Sequence, residues 1–286
     1  MRYIFLRYPE GKAKAVTFSY DDGCSADMRM ANTLTRYNMK GTFNFNCAKL
    51  RDRNFTKEEV VENFLSKGHE IATHGAMHIA NGAARPIDGI KDTLECRAEL
   101  ENRYGMIIRG MAYPDSGITR FSNTAEYENI KRYLTDLDIA YVRTLAGDNN
   151  SFMLPTDWHA WMPTAHHNNP DIIKYMVEFV NIDIDKIYSS SRYPRLFYVW
   201  GHSYEFDNDN NWDLLDTICE TLGGKDDTWY ATNMEIYNYV TAYNSLVFSV
   251  DRKIIYNPTL IDIWFDLDGK LYKIASGETL KIKEDI

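Results

Sequence analysis

Long apolar runs, clusters of basic residues and paired cysteines are what this sequence lacks. No stretch approaches the ~20 consecutive apolar residues that a membrane-spanning helix needs. Residues 1–9 hold too short an apolar run for a signal peptide, with Arg7 inside it and no small-residue cleavage site. No basic run could neutralise phosphates, and a formal charge of −9 with a pI near 5.3 argues against a polyanionic partner, nucleic acid included. Cys24, Cys47, Cys96 and Cys219 are widely spread and form no C-x-x-C pair, which excludes a Cys-based zinc site and a dense disulfide framework. The expectation is a soluble, cytoplasmic protein in a reducing compartment, with no membrane or nucleic-acid partner. Repeats and low-complexity tracts are also missing.

What is present is a folded α/β pattern. The 286 residues are 44% hydrophobic and 14% aromatic, a globular composition sufficient for one large domain or two modest ones. Residues 16–20 are mostly β-branched or aromatic and run into Asp21-Asp22-Gly23, which predicts a buried strand ending in a loop that presents acids. In α/β proteins the carboxyl ends of strands open onto the ligand crevice, so carboxylates there are placed for chemistry. Alone, the motif is equally an ordinary Asp-Gly turn. Residues 69–73 are a second short apolar run, ending in His74 and His78. On a helical turn, positions i and i+4 share a face, so this spacing predicts two imidazoles aimed at one point. A bare H-x-x-x-H is more often surface or core than ligand, but its combination with the acid pair is far less common by chance. One carboxylate and two histidines leave a coordination position open, as in a catalytic zinc site, and free the other aspartate to act as a base. The same donors also make the facial triad of Fe(II) oxygenases, which usually sits in all-β folds.

Helices and strands alternate along the chain. Periodicity predicts a helix over 27–37, a strand over 41–46, and a helix over 57–67 with Thr56 as N-cap, Glu59 three residues on and Gly68 as stop. A strand over 69–73, a helix over 87–104 closed by Gly105, and a strand over 107–113 delivering Pro114, Asp115 and Gly117 follow. Next come a helix over 124–137, a strand over 139–145 and an irregular stretch over 151–169 holding Trp158, His159, Trp161, Pro163, His166 and His167. Long loops of that kind are often functional, and two tryptophans suit stacking on a sugar ring. After a helix over 170–188, the very apolar strand 195–200 ends in Gly201-His202-Ser203. A helix over 211–222, a strand over 228–232 and a helix over 234–243 complete a barrel-like unit over 1–244. From 245 to 286 the pattern changes to short alternating runs with turns at Asn257-Pro258, Asp268-Gly269 and Ser276-Gly277, a small antiparallel β appendage. Cys24, one residue past the acid motif, sits where a nucleophilic thiol could act, although burial for packing is the commoner outcome.

In order and approximate spacing, Ser19-Tyr20-Asp21-Asp22-Gly23, His74-Gly75-Ala76-Met77-His78, Ala112-Tyr113-Pro114 and the strand ending in His202 resemble the motifs of the polysaccharide deacetylases, the NodB-like carbohydrate esterases, over about residues 12–244. The resemblance implies a distorted (β/α) barrel of the NodB type, with the β appendage outside it, and metal-dependent removal of acetyl groups from a carbohydrate. It implies Asp22, His74 and His78 as ligands of a divalent metal, zinc first with cobalt, manganese, nickel or iron as alternatives. Asp21 becomes the general base and His202 the general acid. The substrate-binding residues expected along the rim are Tyr113, Pro114, Asp115, Trp158, Trp161, His166 and His167, and the partner is an acetylated sugar or oligosaccharide. The family's third motif carries an arginine two residues before the proline and a tyrosine after it; here these are Ala112 and Asp115, and Arg109 lies too far upstream to be equated with that arginine. An oxyanion contact from the Asp115 backbone N–H needs no particular side chain. The altered motif leaves a second function class, a non-catalytic carbohydrate-binding protein on the same fold.

Overall fold

Residues 14–21 alternate large apolar side chains (Val16, Phe18, Tyr20) with small or polar ones (Ala15, Thr17, Ser19, Asp21), so the two faces of one strand have different neighbours. In the computed structural model, which describes residues 3–48, 51–52, 54–144 and 152–282, this run is the fully buried central strand β2 (Lys14–Asp21), preceded by β1 (Ile4–Arg7). Leu145, Ser151 and the last four residues of the expected appendage lie outside the described residues. Alternation continues through α1 (Ala26–Arg36), β3 (Thr42–Phe45), α2 (Lys57–Asn63), β4 (Glu70–Thr73), α3 (Pro86–Tyr104), β5 (Gly110–Ala112), α4 (Tyr127–Asp136) and β6 (Tyr141–Arg143). Beyond residue 152 come β7 (Ala165–His166), α5 (Ile172–Val180), β8 (Arg195–Gly201), α6 (Glu205–Asn208), α7 (Trp212–Leu222), β9 (Thr228–Tyr230) and α8 (Asn233–Asn244).

The strands form one parallel sheet in the order β6-β5-β4-β3-β2-β8-β7, with β9 paired to the first half of β2. A bridge from Arg143 to Trp161, just ahead of β7, brings the far edges toward each other. The result is the distorted, incomplete (β/α) barrel expected from the sequence. Val16, Phe18 and Tyr20 face outward and pack with Phe43, Phe45, Phe197 and Val199 under the helices, forming one core cluster. The opposite face of β2 carries a polar column. Thr17 donates to Asn233 Oδ1 at 2.9 Å, Asn233 donates to the Tyr198 hydroxyl at 2.5 Å, and Asn44 donates to Ser19 Oγ at 2.8 Å and Asp21 Oδ1 at 2.9 Å. Buried polar groups need such partners, and here the chain of partners leads to the site.

Local chemistry sets several boundaries. Thr56 and Glu59 close a capping box on α2, and Thr232 and Glu235 one on α8. Gly68 and Gly105 stop their segments in the left-handed region. The helix expected over 170–188 ends earlier, at Val180. There the Asn181 amide donates to the Val177 carbonyl and Asp183 caps a separate short turn, Ile184–Lys186. After α8 the chain forms β10 (Val247–Phe248), β11 (Ile254–Tyr256), β12 (Ile263–Leu267), β13 (Lys270–Ile274) and β14 (Thr279–Lys281). They make two antiparallel three-stranded sheets, β10-β11-β14 and β1-β12-β13. The N-terminal run thus serves as a strand of the C-terminal sheet. Leu6, Tyr8, Leu196 and Tyr198 share a second apolar cluster with Ile255, Ile263, Phe265 and Ile274. No described helix is long and apolar enough to cross a membrane.

Candidate active site

The acid pair stands where β2 ends. Asp21 is the last strand residue and fully buried, while Asp22 turns the chain with φ of 81° and keeps its carboxylate near the surface. Left-handed φ is tolerated better by Asp than by most residues, because its short side chain can bond locally. Beyond β4, His74 and His78 reach the same place, but not on a helix. Residues 74–78 form a loop in which Gly75 has φ of 76° and His78 has φ of 56°. A Cβ on Gly75 would lie 2.3 Å from Asp92 Oδ2, so both the conformation and the space call for glycine. Asp92 on α3 also accepts from the Met77 N–H at 2.6 Å, and Asn46 donates to the carbonyls of His74 at 2.7 Å and Gly75 at 3.1 Å.

His74 Nδ1 lies 2.9 Å from the Ala112 carbonyl, an acceptor only, so Nδ1 carries the proton and the Nε2 lone pair is free. That Nε2 is 3.8 Å from Asp22 Oδ1, and His78 Nε2 is 3.6 Å from the same oxygen. The ligand atoms of Asp22, His74 and His78 all fall within 4.8 Å of one another. Ligands ~2.0–2.1 Å from a common tetrahedral ion stand ~3.3 Å apart, so this N,N,O donor set fits a divalent cation of the zinc class after a small contraction. Burial holds the His74 pKa below its ordinary value against the pull of Asp21 and Asp22, which keeps the imidazole neutral, the form a metal requires.

Two charged pairs flank this trio. Arg143, the last residue of β6 and fully buried, hydrogen-bonds Asp21 Oδ2 and lays its guanidinium 4.5 Å from the centre of the Trp200 ring. Burial opposes ionisation of Asp21, but Arg143, then His74, His202 and the Asn44 hydrogen bond, outweigh it and hold the pKa below the ordinary carboxylate value. Across the mouth, His202 follows β8 and donates from Nδ1 to Glu205 Oε1 at 3.2 Å. Burial lowers its pKa, yet the bond to Glu205 and the charges of Asp21, Glu205 and Asp22 raise it to a net value above the ordinary one. His166 and His167 converge on the same carboxylate, 3.1 and 3.4 Å from Glu205 Oε2. Burial first, then His166, holds His167 down at about 3, a neutral imidazole.

A polysaccharide deacetylase family model matches residues 8–132. The chain resembles the polysaccharide deacetylases in sequence and in fold. A candidate polysaccharide deacetylase from Mycobacterium smegmatis superposes with a TM-score of 0.55 at 16% identity, over 84% of this chain and 94% of that one. The Xyl-CE4 domain of a multidomain xylanase from the hindgut metagenome of Trinervitermes trinervoides superposes with a TM-score of 0.51 at 14% identity, over 81% and 92%. No curated protein matches the chain significantly.

Against the polysaccharide deacetylase pattern, Arg143 and Glu205 are the two residues that motif reading passes over. Position 112 holds Ala, and it is Arg143 at the end of the next strand that brings a guanidinium to Asp21. Its sequence signal is a lone cation inside the apolar run 139–144. Glu205 is three residues past His202, visible only once the turn there brings it back. Arg109 pairs with Asp138 at 2.7 Å on an exposed surface. Several expected substrate contacts need correction. Tyr113 is buried in a core cluster and donates to the His159 carbonyl at 2.9 Å, and Trp161, 1% exposed, packs against Tyr141 and Tyr198. Trp158 is half-buried against Trp161 and Tyr237. Their apolar rings find more contact inside than at a wet rim, so Tyr113 and Trp161 offer a sugar no free face and Trp158 is only partly exposed. Pro114 is buried beside the Gly75 turn, and Asp115 is exposed with φ of 50°. Cys24 is buried, and that burial raises its pKa to about 12, which removes it as a nucleophile.

Proposed function

We propose that the chain is a metal-dependent hydrolase that removes acetyl groups from an N- or O-acetylated carbohydrate, with residues 1–244 as the catalytic unit. The observation that carries this reading is the convergence of Asp22, His74 and His78 between an Asp21–Arg143 pair and a His202–Glu205 pair. A divalent ion of the zinc class held by Asp22, His74 and His78 supplies Lewis-acid polarisation of the acyl carbonyl and a lower pKa for water. Asp21, kept ionised and oriented by Arg143, takes the proton of the attacking water at its carboxylate. The Asp115 N–H is the proposed donor to the oxygen that becomes negative at the acyl carbon. His202, its Nδ1–H tied to Glu205, presents Nε2–H to the departing nitrogen or oxygen and protonates it as the C–N or C–O bond breaks. Acetate and a free amine or hydroxyl result. His166 and Trp200 line the acid side and are the proposed sugar contacts there, whereas the expected contact His167 is fully buried, stacked on Phe206 and Tyr20, and reaches no sugar.

Two acid–base pairs beside the donor trio favour hydrolysis over an Fe(II) oxygenase, which has no use for a positioned base and acid. The test is acetate release from a panel of N- and O-acetylated sugars with and without chelator, on the wild type and on Asp21→Asn. Release that depends on metal and falls on the order of 10²-fold or more in kcat for a variant that keeps its metal supports the assignment. Unchanged turnover in Asp21→Asn would exclude Asp21 as base. Metal binding without acetate release from any substrate would favour the carbohydrate-binding reading.

A further inference from the structure

Cys47 and Cys96 sit in the two walls that grip the His74–His78 loop. Cys47 lies two residues past the end of β3. Its neighbours Asn46 and Ala48 bond that loop on one side, Asn46 through its amide to the carbonyls of His74 and Gly75, and Ala48 through its N–H to the Ala76 carbonyl at 3.1 Å. Cys96 lies on α3 one turn beyond Asp92, which holds the Met77 N–H from the other side. The Cys96 thiol donates to the Phe45 carbonyl at 3.3 Å, two residues before Cys47, and Cys47 packs against the same core cluster that buries Cys96. Cys96 is fully buried and Cys47 partly exposed, so one thiol of the pair is within reach of reagents and the other is sheltered. Cys24 and Cys219 are both buried elsewhere in the fold.

We propose that Cys47 and Cys96 are a redox-modification site that closes to an intramolecular disulfide and staples the wall after β3 to α3 across the histidine loop. With a disulfide such as oxidised glutathione as the oxidant, the Cys47 thiolate attacks one sulfur and expels a first glutathione thiolate. The Cys96 thiolate then attacks the Cys47 sulfur of that mixed disulfide and expels the second. One S–S bond is lost and one gained, two protein thiols are oxidised and two glutathiones reduced, and the two thiol protons go to solvent or to the expelled thiolates. In a reducing compartment the pair stays as thiols, and oxidative conditions engage it. The inference stands apart from the deacetylase reading, since no step of it uses the metal or the acetyl group.

The full-length wild type would be treated with oxidised glutathione under native conditions and compared with Cys47→Ser and Cys96→Ser. The expected result is a fall from four to two titratable thiols on denaturation, a Cys47–Cys96 linked peptide in the non-reduced digest, and a Tm raised by several degrees. Amide hydrogen exchange over residues 74–78 should slow in the oxidised wild type. Neither variant should show the linked peptide or the Tm rise, and Cys96→Ser should retain glutathione on Cys47. Glutathione left on Cys47 of the wild type with no linkage to Cys96 would overturn the proposal, as would a linkage that forms only in denaturant. A linkage that leaves exchange over 74–78 unchanged would overturn the coupling to the histidine loop.

Discussion

At the scale of single residues, the site depends on which charge faces which. Asp21 is a buried carboxylate whose low pKa exists because Arg143 outweighs the cost of burial. Arg143→Gln keeps most of the volume and removes the cation, so burial then acts on Asp21 against only His74, His202 and Asn44, and its pKa rises. The acid limb of the kcat/KM profile should move to higher pH, kcat should fall by about 10² or more, and metal content should hold. An unmoved limb would show that Arg143 does not set the state of Asp21. His69 gives a stability test away from the chemistry. It donates from Nε2 to the Ala31 carbonyl and accepts from the Gly41 N–H at Nδ1, a neutral arrangement, and burial lowers its pKa to about 4 from 6.5. Between these values the unfolded chain binds the extra proton. The contribution is therefore fully present above pH 6.5 and is lost as pH falls through about 4, on the order of 3 kcal/mol in all. His69→Gln removes that titration while neighbouring carboxylates titrate alike in both proteins. Denaturant midpoints should thus converge from pH 7 to pH 4, and parallel pH dependences would refute the assignment.

At the scale of elements, the histidine loop differs most from its sequence reading. The i, i+4 spacing predicts a helical face, yet the imidazoles converge because the chain turns twice through positive φ and is held by Asn46 and Asp92. Gly75→Ala should therefore harm the site without touching a donor. Its Cβ meets Asp92 at a distance no real contact allows and its φ is strained. The expected outcome is weaker cobalt binding by at least about tenfold, comparable to losing an outer-shell partner, with a modest loss of Tm. Full affinity in this variant would mean that the loop is not held as described. Helix starts, by contrast, obey local chemistry: Thr56 with Glu59 forms the box that the motif predicts.

For the whole molecule, the barrel and the C-terminal strands share one apolar cluster and one sheet. β1, the first strand of the chain, pairs with β12, with Leu6 opposite Phe265 and Ile4 opposite Leu267. A chain stopped after residue 244 would leave β1 as an unpaired edge and uncover Tyr8, Leu196 and Tyr198. Such a truncation should aggregate or melt well below the intact protein, even though the proposed catalytic residues are all retained. A truncated chain with unchanged Tm and monodisperse behaviour would show that the appendage is energetically separate.

Strand and helix alternation, the apolar ends of β2 and β8, the caps and the small C-terminal β unit are legible in the sequence because each rests on a short-range pattern: period 2, period 3.6, or a turn residue at a set offset. The candidate donors Asp22, His74 and His78, which the fold brings within 4.8 Å of one another, are legible for the same reason, since residue type and local spacing mark them. What only the tertiary structure decides is which distant groups meet. Arg143 reaches Asp21 across 122 positions of sequence, and Glu205 gathers His166, His167 and His202 around one carboxylate. Burial belongs to the same class. Tyr113 and Trp161 carry aromatic rings that suit a sugar face or a core equally well, and only the completed packing turns them inward. Side-chain type is a local property, whereas solvent access and charge pairing are properties of the closed barrel.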